Sequence, residues 1–330
     1  MQRRRFLASA LLALTAAKVR GAQAREFSFA VLGDAPYGRG EEREFDRVID
    51  YINLDPSLRF AVHVGDLKAA AESCSDALLK RRFAALERLT LPWLYTPGDN
   101  DWTDCHGRSA GRFNPLERLL FLRKVHFGAG VHTHGPNGFT LDVQSASPQF
   151  ASFVENARFA LDGIVFATVH VVGSDNGLVP WRGIDSDDRV AAPRPERIAE
   201  VRERTAATLA WIDAAFEHAQ AINARAVVLF FHANPSFERR PDHARRKPFN
   251  AFLARVHERA QTFARPVLLA HGDYHWYQID TPFADLPRVV RMQVPGSPFV
   301  GWVKVTVSET NANGGFFVFE RGTTRSQDPP

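Results

Sequence analysis

Short runs of apolar residues that each stop at a polar residue alternate along this chain with longer segments whose apolar positions recur every three to four residues. Phe29 to Leu32 is apolar and runs into Gly33-Asp34; Phe60 to Val64 does the same into Gly65-Asp66. Between them, Glu41 to Leu54 carries Phe45, Val48, Ile49 and Ile52 at helical spacing, which predicts an amphipathic helix. Ser75 to Leu89, with Leu78, Leu79, Phe83, Leu86 and Leu89, predicts a second helix, followed by a short strand from Trp93 to Thr96. Strand, helix, strand, helix, strand at these spacings predicts βαβ units and a parallel sheet.

The pattern continues with a helix over Asn114 to Phe127, its apolar face formed by Leu116, Leu119, Leu120 and Phe121, and a Gly-rich surface loop from Phe127 to Gly138. Asp162-Gly163 splits two apolar runs within Arg158 to His170, the signature of a hairpin. Ser174-Asp175-Asn176-Gly177 reads as a polar turn at a strand end, a plain turn with a substrate loop as the alternative. The longest helical pattern, Pro195 to Ala221, leads into a strand from Ala226 to Phe231 that ends at His232. A helix from Phe249 to Ala264 leads into Val267 to Ala270 and then His271-Gly272-Asp273-Tyr274-His275. Three last segments, 289–294, 302–307 and 316–319, read as antiparallel strands, and Gly322 to Pro330 as a polar tail. There are no internal repeats.

The first 24 residues break this pattern. Arg3-Arg4-Arg5-Phe6-Leu7, an Ala/Leu-rich run to Ala17 and the small-residue pattern Ala22-Gln23-Ala24 together read as a secretory signal, too short to span a membrane. The paired arginines suit the Tat route, with an ordinary Sec signal as the alternative. The expected organisation is therefore a signal over 1–24, cleaved near Ala24, and a single domain over 25–330 that is periplasmic or secreted, with no membrane span once the signal is removed. The formal charge of +4 changes meaning accordingly. Five of the 41 basic residues (Arg3, Arg4, Arg5, Lys18 and Arg20) lie in the signal and no acidic residue does, so the remainder is close to neutral against 37 acidic residues. Nothing in that balance calls for nucleic acid. The two cysteines, Cys74 and Cys105, follow the second and third strands, and export permits a Cys74–Cys105 disulfide, with two free thiols as the alternative.

In an open α/β sheet, ligands bind beyond the carboxyl ends of the strands, so Asp34, Asp66 and Asp99 are expected at one rim. Tyr95 to His106 crowds three carboxylates, an amide, a thiol and an imidazole into one loop, and convergent carboxylates suit a hard cation. Five strand-end motifs stand in order: Gly33-Asp34, Gly65-Asp66, Gly98-Asp99-Asn100-Asp101, His232, and Gly272-Asp273-Tyr274-His275. In order and context they resemble the calcineurin-like metallophosphoesterases, which include the purple acid phosphatases; the resemblance covers residues 28 to about 278. It implies a four-layer α/β/β/α sandwich of two mixed β-sheets flanked by helices. It also implies a dinuclear metal site, and hydrolysis of a phosphomonoester or phosphodiester by a metal-bound hydroxide.

Carried over by position, the resemblance implies that Asp34 and His275 bind the first metal and Asp66 bridges both. Asp99 takes the place of an asparagine ligand, His232 binds the second metal, and Asp273 replaces a histidine. Pro36, Asn100 and Asp273 stand where the family pattern has histidines. Four carboxylates and two imidazoles make a site rich in oxygen donors, which favours Mn, Fe, Mg or Ca over Zn for two divalent or mixed-valence ions. Tyr37, beside Pro36, is a further candidate ligand. With Asn100 in the position of the acid that assists the leaving group, His106 and His271 are the candidates for that role, and Asn100 is a candidate for binding a phosphate oxygen or for replacing Asp99 on the metal.

Arg239 and Arg240, with Arg245-Arg246-Lys247, are candidates for holding an anionic substrate, a solvated basic loop being the plainer reading. Asp101 and Asp104 read as supports for ligands or as turn formers, His63 as a packed core histidine, and His132 and His134 as exposed. No Gly-x-Ser-x-Gly elbow is present and neither cysteine has an evident base, which argues against a serine or thiol hydrolase. A metal-binding or phosphate-binding protein of the same fold with little or no turnover is the alternative to an enzyme acting on a small phosphate ester.

Overall fold

Phe29, Phe60, Phe166 and Phe230 meet ring to ring, with centroids 5.0 to 6.3 Å apart, where two β-sheets face each other. The computed structural model describes residues 26–128, 130–308 and 315–323. The expected signal over 1–24 lies outside them, as does the tail beyond 323. The first sheet has the order β12-β11-β1-β2-β3, the second β4-β5-β6-β7-β8-β10-β9. Strands β1 (Phe27–Leu32), β2 (Leu58–His63) and β3 (Trp93–Tyr95) are mutually parallel; β11 (Gly301–Val307) pairs antiparallel with β1 and β12 (Phe317–Thr323) with β11. In the second sheet β6 (Ile164–Thr168), β7 (Ala226–Phe230), β8 (Val267–His271) and β10 (Val289–Gln293) are parallel. Strands β4 (Asp142–Val143), β5 (Ala157–Leu161) and β9 (Gln278–Asp280) add antiparallel edges.

Strands covered on both faces are predominantly apolar, which is why β7 is apolar throughout and β1, β6 and β8 carry one polar residue each, Ser28, Thr168 and His271, instead of alternating. On the outer face of the first sheet, Phe45, Val48, Ile49 and Ile52 of α1 (Gly38–Leu54) and Phe83 and Leu86 of α2 (Asp76–Leu86) pack on Ala30, Leu32 and Ala61. On the second, α5 (Pro195–Ala221) and α6 (Asn250–Phe263) cover Val227, Leu229, Val267 and Leu269. The result is the α/β/β/α sandwich of two mixed sheets. Among the described residues no helix is long and apolar enough to cross a membrane.

Several local expectations are corrected. The segment 289–293 is not antiparallel to its main neighbour: the connection 272–288 is long enough to cross back, so β10 enters beside β8 in parallel. Strands β4 and β9 are two and three residues long, too short to leave a period in the sequence. The third helix, α3 (Pro115–Leu122), buries Leu119 and Leu122 and leaves Leu120 65% exposed. It passes into a π-turn at Arg123–Phe127 that drops the His126 ring onto Phe83 at 3.8 Å. Gly322 belongs to β12 rather than to a tail; a Cβ there would lie 2.3 Å from the Trp302 indole.

Candidate metal centre

Each of the strands β1, β2, β3, β7 and β8 delivers a polar group to one rim. Asp34, Asp66, Asp273 and His275 all have positive φ (54°, 59°, 86° and 65°), a region costly for residues with a Cβ and tolerated best by Asp and Asn. Such a residue ends the extended chain at once, and four of them around one rim are strain gathered at a single place. The acids also press against glycines. A Cβ at Gly98 would fall 2.1 Å from Asp66 Oδ1, and one at Gly272 would fall 2.2 Å from Asp34 Oδ2.

Segments far apart in sequence meet here. Asp34 and His232 are fully buried and Asp66 nearly so. The ligand-capable atoms of Asp34, Asp66 and His232 lie within 4.8 Å of one another, as do those of Asp99, His232 and Asp273. His275 Nε2 is 3.6 Å from Asp34 Oδ1. His232 Nε2 stands 2.9 Å from Asp99 Oδ1 and 3.4 Å from Asp66 Oδ1, so it is His232, not Asp66, that is common to both groups. On the far side of each ring, His232 Nδ1 lies 2.8 Å from the Val64 carbonyl and His275 Nδ1 3.0 Å from the Ser297 carbonyl. A carbonyl only accepts, so both Nδ1 atoms carry the proton and both Nε2 atoms are left facing the carboxylates, the orientation expected of metal-binding histidines.

Neighbouring groups hold the acids in place. The Tyr37 hydroxyl donates to Asp66 Oδ2 at 2.8 Å. The Asn100 amide nitrogen donates to Tyr37 Oη at 3.2 Å and to Asp66 Oδ2, while its backbone N–H donates to Asp66 Oδ1 at 3.0 Å. Asp101 points away from this group and accepts from the backbone N–H of Asp66, Leu67 and Gly98 and from the Tyr95 hydroxyl, all within 2.9 Å. Cys74 and Cys105 form a disulfide with Cα atoms 5.6 Å apart, joining the loops that follow β2 and β3.

Burial dominates the electrostatics. It raises Asp34 to about 6 and pushes Asp66 and Asp273 well above the usual carboxylate range. At Asp99 burial acts in the same direction, but the hydrogen bond and charge of His232 outweigh it and hold the carboxyl below its ordinary value. Burial would likewise discharge His232, yet Asp66 and Asp99 keep it protonated well above the ordinary value for histidine. Lys68, also fully buried, is a further cation close by; its Nζ donates to the Ala69 carbonyl at 3.1 Å. Four carboxylates, three of them buried and Asp273 half-buried, facing one imidazolium and one ammonium are short of positive charge. Protons or a metal cation must make up the difference, and oxygen donors with two imidazoles fit a divalent ion.

The remaining candidates lie elsewhere. His271 is the last residue of β8 and follows Val267 and Leu269 onto the helix-covered face, where it stacks on Phe231 at 5.3 Å. Burial depresses it to about 3, so it holds no proton to give near neutrality, which corrects its candidacy as an acid. His106 Nδ1 accepts from the Gly183 N–H at 3.3 Å, with Asp188 and Arg197 as its charged neighbours. Among the described residues no hydrogen bond or ion pair joins it to the cluster, so its place in sequence beside Asp99 does not make it the acid. Arg240 is 87% exposed beside Asp242, out in solvent, whereas Arg239 lines a cavity next to the cluster with Arg245. His63 is buried, as expected, and His132 exposed; His134 is instead stacked on Trp93 at 4.3 Å.

Sequence reasoning underrated Ser174-Asp175-Asn176. These three residues form a left-handed turn, α4 (Gly173–Gly177), with φ of 49°, 55° and 56°. The Ser174 hydroxyl lies 2.8 Å from both Asp99 Oδ2 and Asp104 Oδ2. The Ser-Asp-Asn-Gly run was the available signal, since Asp, Asn and Gly are the residues that enter this region most readily.

No family model and no curated protein matches the sequence. Solved structures similar to the protein include GAP50, the anchor in the inner membrane complex of Plasmodium, with a TM-score of 0.49 and 11% identity over 92% of this chain and 90% of that one. The phosphopantetheinyl hydrolase PptH from Mycobacterium tuberculosis gives 0.49 and 14%, over 83% of this chain and 91% of that one. The purple acid phosphatase PPD1 from yellow lupin seeds gives 0.48 and 11%, over 92% of this chain and 52% of that one. These likenesses concern the fold; the chemistry is a matter for the side chains.

Proposed function

We propose that the protein is a metal-dependent phosphoric ester hydrolase that binds two divalent or mixed-valence ions. In this reading Asp34, Asp66 and His275 hold one ion, and Asp66, Asp99, His232 and Asp273 the other. The observation that carries it is the meeting of four carboxylates, Asp34, Asp66 and Asp99 buried and Asp273 half-buried, and two Nε2 atoms, from five strand ends, without enough positive charge to balance them. Bound there, the ions would supply an activated water and a clamp for the phosphoryl oxygens.

The chain's own groups then have distinct tasks. Asn100 and Tyr37, whose donors converge on Asp66, would bind a phosphoryl oxygen at the same edge. The Val64 and Ser297 carbonyls fix the two imidazoles. Of the four histidines of the strand-end motifs and their neighbours none is left over as an acid: His232 and His275 face the carboxylates, and His106 and His271 lie elsewhere. An ester whose alcohol departs readily as an anion therefore suits this site best. The disulfide supports reading residues 1–24 as an export signal and the protein as periplasmic or secreted.

The test is hydrolysis of phenyl phosphate and of an aryl phosphodiester after Mn or Fe loading, with metal content measured in parallel, beside Asp66→Asn. Turnover in the wild type that disappears in Asp66→Asn is expected. Metal that stabilises the wild type without turnover of either ester would replace this reading with that of a binding protein.

A further inference from the structure

A cavity of about 340 Å³ opens next to the carboxylate cluster, lined among others by Asn234, Arg239, Arg245, Tyr274, Trp276 and Arg291. It is joined to the proposed metal site on two sides. The Asn234 N–H donates to Asp273 Oδ2 at 2.7 Å, and Tyr274 is the residue after Asp273. A solvated dent would have loose walls, and these are tied. The Tyr274 hydroxyl lies 3.3 Å from Ser236 Oγ, and the Trp276 indole N–H donates to Gln278 Oε1 at 3.1 Å. Gln278 in turn donates to Asp280 Oδ2 at 2.8 Å, and the Trp276 carbonyl accepts from Gln293 Nε2 at 2.7 Å. Trp276 is thus fixed in place while 56% exposed, an unusual state for the largest apolar side chain, and its ring meets that of Tyr274 edge-on at 5.4 Å.

The lining of this cavity sets three arginines, Arg239, Arg245 and Arg291, against two acids, Glu238 and Asp280, a surplus of one positive charge. Asp280 is taken by Arg291, which is 2% exposed and lies 4.9 Å over the Phe237 ring. Arg291 Nη1 is left buried with no hydrogen-bond partner, a donor awaiting an acceptor. Among the described residues Arg239 pairs with Glu238 alone, at 3.6 Å, and Arg245 has Asp175 as a charged neighbour. The adjoining cluster lacks a histidine acid, so it favours an alcohol that leaves as a stable anion; a phenol does, an alkanol does not.

Resting on the hydrolase reading, we propose that this cavity receives the alcohol part of the ester, and that this part is an aromatic ring carrying a second anionic group. The ring lies against Trp276 and Tyr274, and the anion meets Arg239, Arg245 and the unused donor of Arg291.

Three esters separate the contributions: 4-carboxyphenyl phosphate, phenyl phosphate and methyl phosphate, each assayed on metal-loaded protein. For Trp276→Ala, the ratio of kcat/KM for phenyl phosphate to that for methyl phosphate is expected to fall roughly tenfold. For the double variant Arg239→Ala/Arg245→Ala, the ratio for the 4-carboxyphenyl ester over the phenyl ester is expected to fall by about the same factor, mainly through KM. Ratios that stay put in both variants overturn the inference. If none of the three esters is hydrolysed, it is the hydrolase reading that fails, and the cavity is judged by calorimetric titration with 4-carboxyphenylphosphonate, which cannot be hydrolysed. Binding that weakens about tenfold in Trp276→Ala upholds the aromatic site. Absent binding, or equal binding by wild type and variants, overturns it.

Discussion

The loops after β2 and β3 and the loops after β7 and β8 bring acids to the same rim, but they are held in different ways. On the β2/β3 side, Asp101 collects three backbone N–H groups and the Tyr95 hydroxyl, the disulfide joins the two loops, and Glu72 accepts from the N–H groups of Gly38 and Ala69 while pairing with Arg82. On the β7/β8 side the bonds are spread over separate groups rather than gathered on one acceptor: the Asp273 N–H to both Asp34 oxygens, the Asn234 N–H to Asp273 and the Gly272 N–H to the His232 carbonyl. That side also borders the cavity with the exposed Trp276. One half is built to fix carboxylate positions, and the other leaves room beside them for something that comes and goes.

Asp101→Ala tests the contrast most severely. It leaves four buried donors unsatisfied, and a cost of about 3–5 kcal/mol follows from losing one partner of a buried charged network. The denaturant midpoint should fall accordingly and bound metal should be lost. Asn234→Ala, the matching change on the open side, removes the acceptor of the Ser236 N–H and a donor to Gln293, and should cost about 1–2 kcal/mol. Equal losses in the two variants would break the comparison. Second in size to Asp101→Ala is the disulfide: it closes a loop of 31 residues, so Cys74→Ser/Cys105→Ser should lower stability by about 3–4 kcal/mol in the chain-entropy account, read from the same denaturant curves.

This contrast also explains what was legible in the sequence. Asp34, Asp66, Asp99, His232, Asp273 and His275 were visible because each follows an apolar run, and in a parallel sheet the end of such a run is a place in space as well as in sequence. The helix layer on the first sheet was legible from α1 and α2 by period, and that on the second from α5 and α6. Proximity along the chain misled at His271 and His106. His271 is one residue from Gly272, but the alternation of β8 sends its ring to the helix-covered face with Val267 and Leu269. Arg291, Gln278 and Trp276 carried no joint signal, because β9 and β10 meet only through an antiparallel pairing too short to show in the sequence.

The pH dependence of stability probes the support behind the fixed half. Trp102, in the loop after β3, packs 5.6 Å from His170, whose Nδ1 meets Glu155 Oε1 at 2.7 Å; Arg123 closes the group on the other oxygen at 3.0 Å. Burial opposes the charge on Glu155, but Arg123 and His170 outweigh it and bring the carboxyl down to about 2 from an ordinary 4.5. With the folded value depressed, the unfolded chain binds more protons between those two values. Stability from this group is thus complete above about pH 4.5 and is lost as pH falls toward 2, on the order of 3 kcal/mol in all. The expected result is an acid unfolding curve that flattens in this window in Glu155→Gln. An unchanged slope would mean that the group does not support the loop electrostatically.

The finest distinction falls on Ser174. Its hydroxyl has one hydrogen and stands 2.8 Å from two carboxylates, Asp99 and Asp104, so it can donate to only one of them. Asp104 is raised to about 6, by burial first and by the nearby charge of Asp99 second, whereas Asp99 is held below its ordinary value chiefly by His232. Asp104 is thus the carboxyl closer to protonation; as pH falls toward 6 it can donate to Ser174, which leaves the Ser174 hydrogen for Asp99, the carboxylate that with Asp66 faces His232 from the fixed half. Three consecutive residues in left-handed geometry make sense as the cost of bringing that hydroxyl to this point. Ser174→Ala should thus weaken metal binding about tenfold, as loss of a partner behind a ligand does, while moving stability by no more than about 1 kcal/mol. Metal titration followed by calorimetry separates the two effects: a variant that binds metal as the wild type does, yet melts lower, would make Ser174 part of the scaffold and leave Asp99 oriented by His232 alone.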